Sequence, residues 1–387
     1  MSDPLFNNPL KLGFGLMRLP KLADGSIDLP QVCRMADRFI AAGGTYFDTA
    51  YVYDGGKSEE AFRAAVANRY PRNAYTLATK LMANDAIRTA EDARQELLTS
   101  LERTGAGYID YYLLHAIQRS NIGKYDEYHL WDYVKEMKAK GLIRHWGFSF
   151  HADSELLEEL LEKHPDAEFV QLQINYADWE NPGVASRRNW EICKAHGKPV
   201  VIMEPVKGGV LANPIPEVKA VFDAEGSGRS YASWALRYAC SLDNLMAVLS
   251  GMSDLSQMED NLQSVRDLPI REEEMKYIHA AQEALNRDRS IACTRCRYCT
   301  DGCPRGIPIP DIFNAVNRRK GQPEFRTRRE YTIVTQGKGK ASDCIACGQC
   351  ESACPQHLHI IELLVKCREL EGSSEAFPTM INGAKKH

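Results

Sequence analysis

The chain has 387 residues, 44% hydrophobic and 26% charged, with a formal net charge of −4. That composition belongs to an ordinary folded protein and excludes a disordered or collagen-like chain. No apolar run approaches the ~18 residues of a membrane span, and a near-neutral balance gives no electrostatic footprint for nucleic acid.

In chain order, strand-like runs fall at 11–19, 44–50, 74–80, 109–116, 143–150, 169–176, 199–206 and 244–251. Amphipathic helical stretches alternate with them, at 29–44, 58–70, 89–105 and 125–141 among others. In 89–105, Ala90, Ala93, Leu97 and Leu101 share one face, Thr89 with Asp92 suits a capped start, and Gly105 ends the pattern. Eight alternations in ~250 residues predict an α/β fold, a closed (β/α)8 TIM barrel rather than an open sheet. No GxGxxG loop follows an early strand.

In such a barrel, chemistry sits where strands end. Asp48 follows Tyr46 and Phe47, Lys80 closes the third run, His115 ends the fourth, and Tyr51 and Tyr53 lie in the loop after Asp48. A phenol has an ordinary pKa near ~10 and is a poor acid or base until its surroundings tune it. A nearby ammonium stabilises phenolate, a carboxylate anchors the ammonium, and an imidazole orients the substrate oxygen. An acid–base site for carbonyl chemistry is expected, with a tyrosine as proton donor, Lys80 as its modulator, Asp48 as anchor and His115 as orienting group.

FDTAYVY at 47–53, the lysine of LATK, the histidine of YYLLHA and the run GLIRHWGFSF resemble the aldo/keto reductase superfamily, and the likeness extends from LGFGLMRLP to LSGMSDLSQMEDN. The resemblance implies an NAD(P)H-dependent oxidoreductase that reduces a carbonyl or oxidises an alcohol, with a catalytic tetrad at Asp48, Tyr53, Lys80 and His115. It favours Tyr53 over Tyr51, because the family spaces its tyrosine five residues after its aspartate. It also implies that Ser149 and Gln171 bind the nicotinamide carboxamide, that Met203 covers the ring, and that Asp260 and Asn261 contact adenine. Phe150 stands where many members have asparagine. The stretch matching the 2′-phosphate site, from Gly251 through Asp254 to Gln257, contains no basic residue, so both NADH and NADPH remain expected cofactors.

The cysteines mark a second unit. Nine of the 12 lie in residues 291–387, where 15 Lys and Arg face 10 Asp and Glu. Cys293, Cys296, Cys299 and Cys303 read C-x2-C-x2-C-x3-C before Pro304, and Cys344, Cys347, Cys350 and Cys354 repeat this before Pro355, 51 residues on. This resembles the bacterial ferredoxin run, in which the fourth cysteine of each run serves the other cluster. Two [4Fe–4S] clusters are expected, one on Cys293, Cys296, Cys299 and Cys354, the other on Cys344, Cys347, Cys350 and Cys303. Zinc sites space their ligands in separated pairs instead. About forty residues separate the runs, and helical patterns at 309–321, between them, and 359–370, after the second, point to a mainly helical ferredoxin-like domain.

The expected organisation is therefore a barrel over 1–285 and a two-cluster module over 286–387. The start MSDPLFNNPLKLGFG lacks a signal-peptide pattern, and the cysteine usage suits the cytoplasm. Expected partners are a small carbonyl or alcohol and a ferredoxin- or flavodoxin-like carrier. The basic runs at 318–319 and 326–329 either offset cluster charge or form a docking patch for such a carrier. Competing readings are an electron-transfer protein whose barrel is a scaffold, and an active reductase with structural clusters.

Overall fold

In the computed structural model of the chain, residues 8–83, 87–287, 291–317 and 324–371 are described, the last segment without side chains before residue 327. Arg318, Arg319 and the side chain of Arg326 lie outside them. The chain divides into two compact units, Met1–Asp288 and Arg289–His387; the expected join, after residue 285, falls within the final helix of the first. No helix among the described residues is long and apolar enough to cross a membrane.

The first unit is a closed barrel of eight parallel strands. They are β1 (Leu12–Gly15), β2 (Tyr46–Asp48), β3 (Thr76–Leu81), β4 (Ile109–Ile117), β5 (Ile143–Phe150), β6 (Phe169–Gln173), β7 (Val200–Met203) and β8 (Leu245–Gly251). Each falls within or within one residue of a predicted run, and β5 matches its run end to end. The surrounding helices are α1 (Leu29–Ala41), α2 (Lys57–Phe62), α3 (Ala90–Thr104), α4 (Ile122–Glu127), α5 (Leu130–Ala139), α6 (Ser154–Lys163), α7 (Ser186–Ala195), α8 (Pro216–Asp223), α9 (Tyr231–Cys240), α10 (Leu255–Ser264) and α11 (Glu272–Arg287).

Period-two alternation of strand side chains builds the interior. Tyr46, Ala78, Tyr111, Leu113, Phe169, Val201, Ala247 and Leu249 form one buried cluster inside the barrel. Phe47, Leu77, Tyr112, Leu114, Phe148 and Val170, one residue out of step, join the shell between strands and helices. Gly147 leaves room for this filling: a Cβ there would lie 2.2 Å from the Phe169 carbonyl oxygen.

Local signals explain the element ends. Thr89 and Asp92 form a reciprocal capping box on α3, and Gly105 closes it in the left-handed region at φ +61°. The predicted helix over 125–141 is instead divided. His129 adopts φ +53°, so α4 ends before it and α5 starts after it. Position α11 is fixed by a buried ion pair, since Arg237 of α9 donates to both Glu274 oxygens at 2.9 and 2.8 Å.

The second unit is helical: α12 (Tyr298–Asp301), α13 (Ile309–Asn317), α14 (Glu324–Thr335), α15 (Gln349–Ser352) and α16 (Ile360–Cys367). Ile309, Ile312 and Phe313 of α13, Tyr331 of α14, and Ile360 and Leu364 of α16 share its core. The Tyr331 hydroxyl accepts from the Ala341 N–H at 2.9 Å and donates to Glu371 at 2.7 Å, tying α14 to both flanking segments.

Candidate active site and cysteine cavities

The interior parity that fills the barrel also brings its polar strand ends inward. Two residues beyond Tyr46, Ala78 and Leu113 along their strands stand Asp48, Lys80 and His115, all buried. The Lys80 ammonium donates to Asp48 Oδ1 at 2.7 Å, to the Thr49 carbonyl oxygen at 2.6 Å and to the Tyr53 hydroxyl at 3.5 Å. It also lies 4.8 Å from the Tyr53 ring centroid. His115 meets Tyr53 edge to face at 5.8 Å. Register between β4 and β5 shifts after Leu114, and Ala116 adopts φ +52°, so a bulge sets the strand where His115 leaves it.

Tyr51 takes no part in this group. Its ring lies 4.5 Å from the Arg103 guanidinium, which also donates to its carbonyl oxygen at 3.2 Å.

Electrostatics in the mouth are dominated by desolvation. Burial drives Asp48 and Lys80 toward their neutral forms, and their mutual attraction opposes it. Burial holds the Tyr53 phenol well above its ordinary range, reinforced by the Asp48 and Glu204 carboxylates. The expected lowering by Lys80 does not prevail, because an ammonium already neutralised by Asp48 offers little net charge to the phenol. Burial, with Lys80 and His151 nearby, keeps His115 well below its ordinary value and hence neutral. Its Nδ1 and Asp48 Oδ2 are buried without a hydrogen-bond partner.

The residues expected to hold nicotinamide fall into two groups. Ser149 Oγ accepts from the Ala116 N–H at 2.7 Å, which leaves its proton free to donate. Gln171 Oε1 is buried and unpartnered. One donor and one acceptor on neighbouring strands match the two ends of a carboxamide. Met203 closes β7 half-buried against the interior cluster. Phe150 has the outward parity and packs against Phe148 in the shell.

The expected adenine pair is engaged within the protein. Asp260 accepts from the Ser230 hydroxyl at 2.6 Å, and Asn261 donates to Ser250 Oγ at 2.9 Å. Gly251 is exposed at the end of β8. Glu204, directly after β7, faces the same mouth and was not singled out from sequence. Its only sequence signal is an acid immediately beyond a strand end.

In the second unit, Cys293, Cys296, Cys299 and Cys354 line one cavity, with Ile309, Phe313 and Ile360. Cys303, Cys344, Cys347 and Cys350 line a second, with Ile307, Ile345 and Leu364. The two foursomes are those obtained by exchanging the fourth cysteine of each run. Among the described residues, no three His, Cys, Asp or Glu side chains converge as for a single metal ion. A polynuclear cluster, which separates its thiolates around a body of its own, fits this donor set better than zinc. Cys367 lies outside both cavities, buried in the core, where burial pushes its thiol up to about 12.

Comparison with known proteins agrees with both units. Residues 11–283 match the family model described as the aldo/keto reductase family, and residues 292–359 match a 4Fe-4S dicluster domain. An uncharacterized oxidoreductase of Schizosaccharomyces pombe is 28% identical over 268 residues, covering 66% of this chain and 81% of the relative. L-galactose dehydrogenase of Arabidopsis thaliana is 25% identical over 286 residues, covering 68% and 88%. Among solved structures, the holo form of a Bacillus halodurans aldo-keto reductase superposes with a TM-score of 0.56 at 25% identity, over 70% of this chain and 91% of that one. A Klebsiella pneumoniae aldo-keto reductase in complex with NADPH gives 0.54 at 21%, over 69% and 89%.

Proposed function

The chain belongs to the aldo/keto reductase family, and from that premise we propose that it is a nicotinamide-linked oxidoreductase that interconverts a carbonyl and an alcohol in its barrel (1–285), with two [4Fe–4S] clusters in the C-terminal module (286–387) passing electrons to or from a soluble carrier. The observation that carries the catalytic part is the buried Asp48–Lys80–Tyr53 series with neutral His115 against Tyr53.

A bound nicotinamide supplies the hydride. Ser149 and Gln171 hold its carboxamide by donating to the oxygen and accepting from the nitrogen, and Met203 covers its ring. NADPH is supported by the solved relative that binds it; NADH is supported by the lack of a basic residue at 251–257. His115, kept neutral, donates from its N–H to the carbonyl oxygen and orients it. Tyr53 keeps its proton throughout the ordinary pH range and releases it to the oxygen as negative charge develops there. Lys80, within 3.5 Å of the hydroxyl, then stabilises the phenolate left behind.

In the module, the eight cysteines ringing two cavities support the crossed ligand sets. A ferredoxin- or flavodoxin-like protein suits the one-electron chemistry of such clusters. Thiols free of disulfides suit the reducing cytoplasm.

The test is a carbonyl substrate screen with both nicotinamides on anaerobically prepared protein, comparing wild type with Tyr53→Phe. Loss of turnover by about 100-fold or more in the variant is expected; equal turnover with every active substrate refutes a catalytic barrel. Cluster bleaching on addition of NADH or NADPH with substrate is expected if the units exchange electrons. Clusters that respond to neither nicotinamide nor reduced ferredoxin refute the relay.

A further inference from the structure

Beyond the tetrad and the carboxamide contacts, the mouth contains two opposite charges that are not bonded to each other. Arg18 lies in the short turn after β1. Its backbone carbonyl accepts from Ser253 Oγ at 2.8 Å, and its stem lies against Gly251, where an added Cβ would meet its Cβ and Cδ at 3.6 Å. Its guanidinium makes no hydrogen bond or ion pair among the described residues. Other cations around the mouth are paired: Lys80 with Asp48, Arg103 with Glu59, Lys207 with Asp178.

Across from it stands Glu204. This residue holds the left-handed conformation at φ +57°, which is strained for a side chain with a Cβ. The loop fixes it there: its carbonyl oxygen accepts from Asn175 Nδ2 at 3.2 Å and from the Lys207 N–H at 2.9 Å. Asn175 in turn donates to buried Asp178 at 2.9 Å, and Asp178 receives the Lys207 ammonium. One carboxyl oxygen, Oε2, is buried without a partner. Burial pushes this carboxyl above its ordinary range; Arg18, Lys207 and the Gly208 N–H oppose that rise and Asp178 adds to it, and the carboxyl in turn acts on Tyr53. A strained, over-determined residue with an unsatisfied polar atom at a rim is a feature that stability alone does not explain.

The positions around the rim suggest what belongs between them. Ser149, Gln171 and Met203 occupy β5, β6 and β7, so the remainder of a dinucleotide anchored there continues over the β7, β8 and β1 ends. The β8–α10 junction has no cation for its phosphates, and Asp254 already caps α10 by accepting from the Gln257 N–H at 2.8 Å. Arg18 is the cation that reaches this path, beside Gly251.

Resting on the nicotinamide reading, we propose that Arg18 binds the diphosphate of the dinucleotide and that Glu204 is the carboxylate competing with that anion for Arg18. Both act on affinity rather than on the chemical step.

The two variants have opposite expected signs, which a merely structural role would not give. Binding of NADP+, NAD+ and ADP to the cluster-loaded full chain is measured by titration calorimetry for wild type, Arg18→Gln and Glu204→Gln. Arg18→Gln is expected to weaken all three by about 10- to 100-fold, the loss of charged hydrogen bonds. Glu204→Gln, which removes a competing charge while keeping shape, is expected to tighten all three several-fold. Unchanged affinities in Arg18→Gln, or weakening in Glu204→Gln, overturn the proposal and leave the nicotinamide reading intact. Arg18-dependent binding of ADP without binding of either dinucleotide supports the anion site and refutes the nicotinamide reading. A wild type that binds none of the three refutes both.

Discussion

Lys80 Nζ lies 2.7 Å from Asp48 Oδ1, and the lysine side chain has no exposed surface. An ammonium shut away from water in this manner is tolerated only because a carboxylate and the Thr49 carbonyl surround it. Removing one partner leaves the other charge buried and uncompensated. Lys80→Met and Asp48→Asn are each expected to destabilise the barrel by ~3–5 kcal/mol, and the double variant by clearly less than their sum. All five tryptophans, at 131, 146, 179, 190 and 234, lie in the first unit, so urea unfolding followed by tryptophan fluorescence reports on the barrel alone. Single variants within ~1 kcal/mol of wild type would contradict the pairing.

The cysteine foursomes cross between the runs, and this sets a test of partnership. Cys293 and Cys354 line one cavity, Cys303 and Cys347 the other. Cys354→Ala, although in the second run, is expected to remove the cluster of the first, halving iron and acid-labile sulfide. Combining it with Cys293→Ala should then remove no more iron, whereas combining it with Cys303→Ala should remove nearly all. Additive loss in the first pair would mean that each run binds its own cluster.

How much of this was legible in the sequence follows from strand parity and from what parity cannot see. Once Tyr46, Ala78 and Leu113 face inward, Asp48, Lys80 and His115 must follow, so the convergence of these three side chains could be read from spacing and a family likeness. The choice of Tyr53 over Tyr51 needed that likeness, and its physical ground is that Arg103 covers Tyr51. The grouping of the eight cysteines around two cavities was legible because three close thiols and a displaced fourth recur 51 residues apart. The break at His129 was not, because a single left-handed residue leaves the apolar period of 125–141 nearly intact. Nor was Glu204, since an acid after a strand reads as a solvated charge until the backbone conformation turns it inward. The net direction of the Tyr53 shift was also hidden: it depends on burial outweighing a neighbouring cation that is already neutralised.

Glu96 supplies a pH test that does not depend on the active site. It lies on α3, 3% exposed, and accepts from the Met82 N–H at 2.8 Å. Burial raises its carboxyl from 4.5 to about 8; the Met82 N–H and Arg103 oppose the shift, and Glu59 adds to it. Between these two values the folded protein binds more protons than the unfolded chain, so stability falls as pH rises. The contribution is fully present below pH 4.5 and is lost on passing through about pH 8. Glu96→Gln keeps an acceptor for Met82 but does not titrate. Between pH 5 and 8, its barrel stability is expected to decline less than that of wild type, by a difference on the order of a few kcal/mol. Parallel declines in the two proteins would exclude Glu96 as the source.

The pair between Arg237 and Glu274 has the opposite pH sign. Arg237 is fully buried and Glu274 is 1% exposed. Burial opposes ionisation of Glu274, yet hydrogen bonds from Arg237 and Arg271 win and hold its carboxyl well below the usual range. Arg237 also donates from Nε to the Asp267 carbonyl oxygen at 2.9 Å, so the guanidinium joins α9, the segment before α11, and α11 itself. Glu274→Gln would leave that guanidinium facing a neutral amide, and a loss of ~3–5 kcal/mol is expected near pH 7. Because the folded carboxyl titrates below the unfolded one, the stabilisation is present above pH ~4.5 and fades as pH falls. The gap between wild type and Glu274→Gln should therefore hold from pH 6 to about 4.5 and narrow from there to pH 3, read by tryptophan fluorescence in urea. A gap that stays constant over that range would mean that the variant fails through packing rather than through charge.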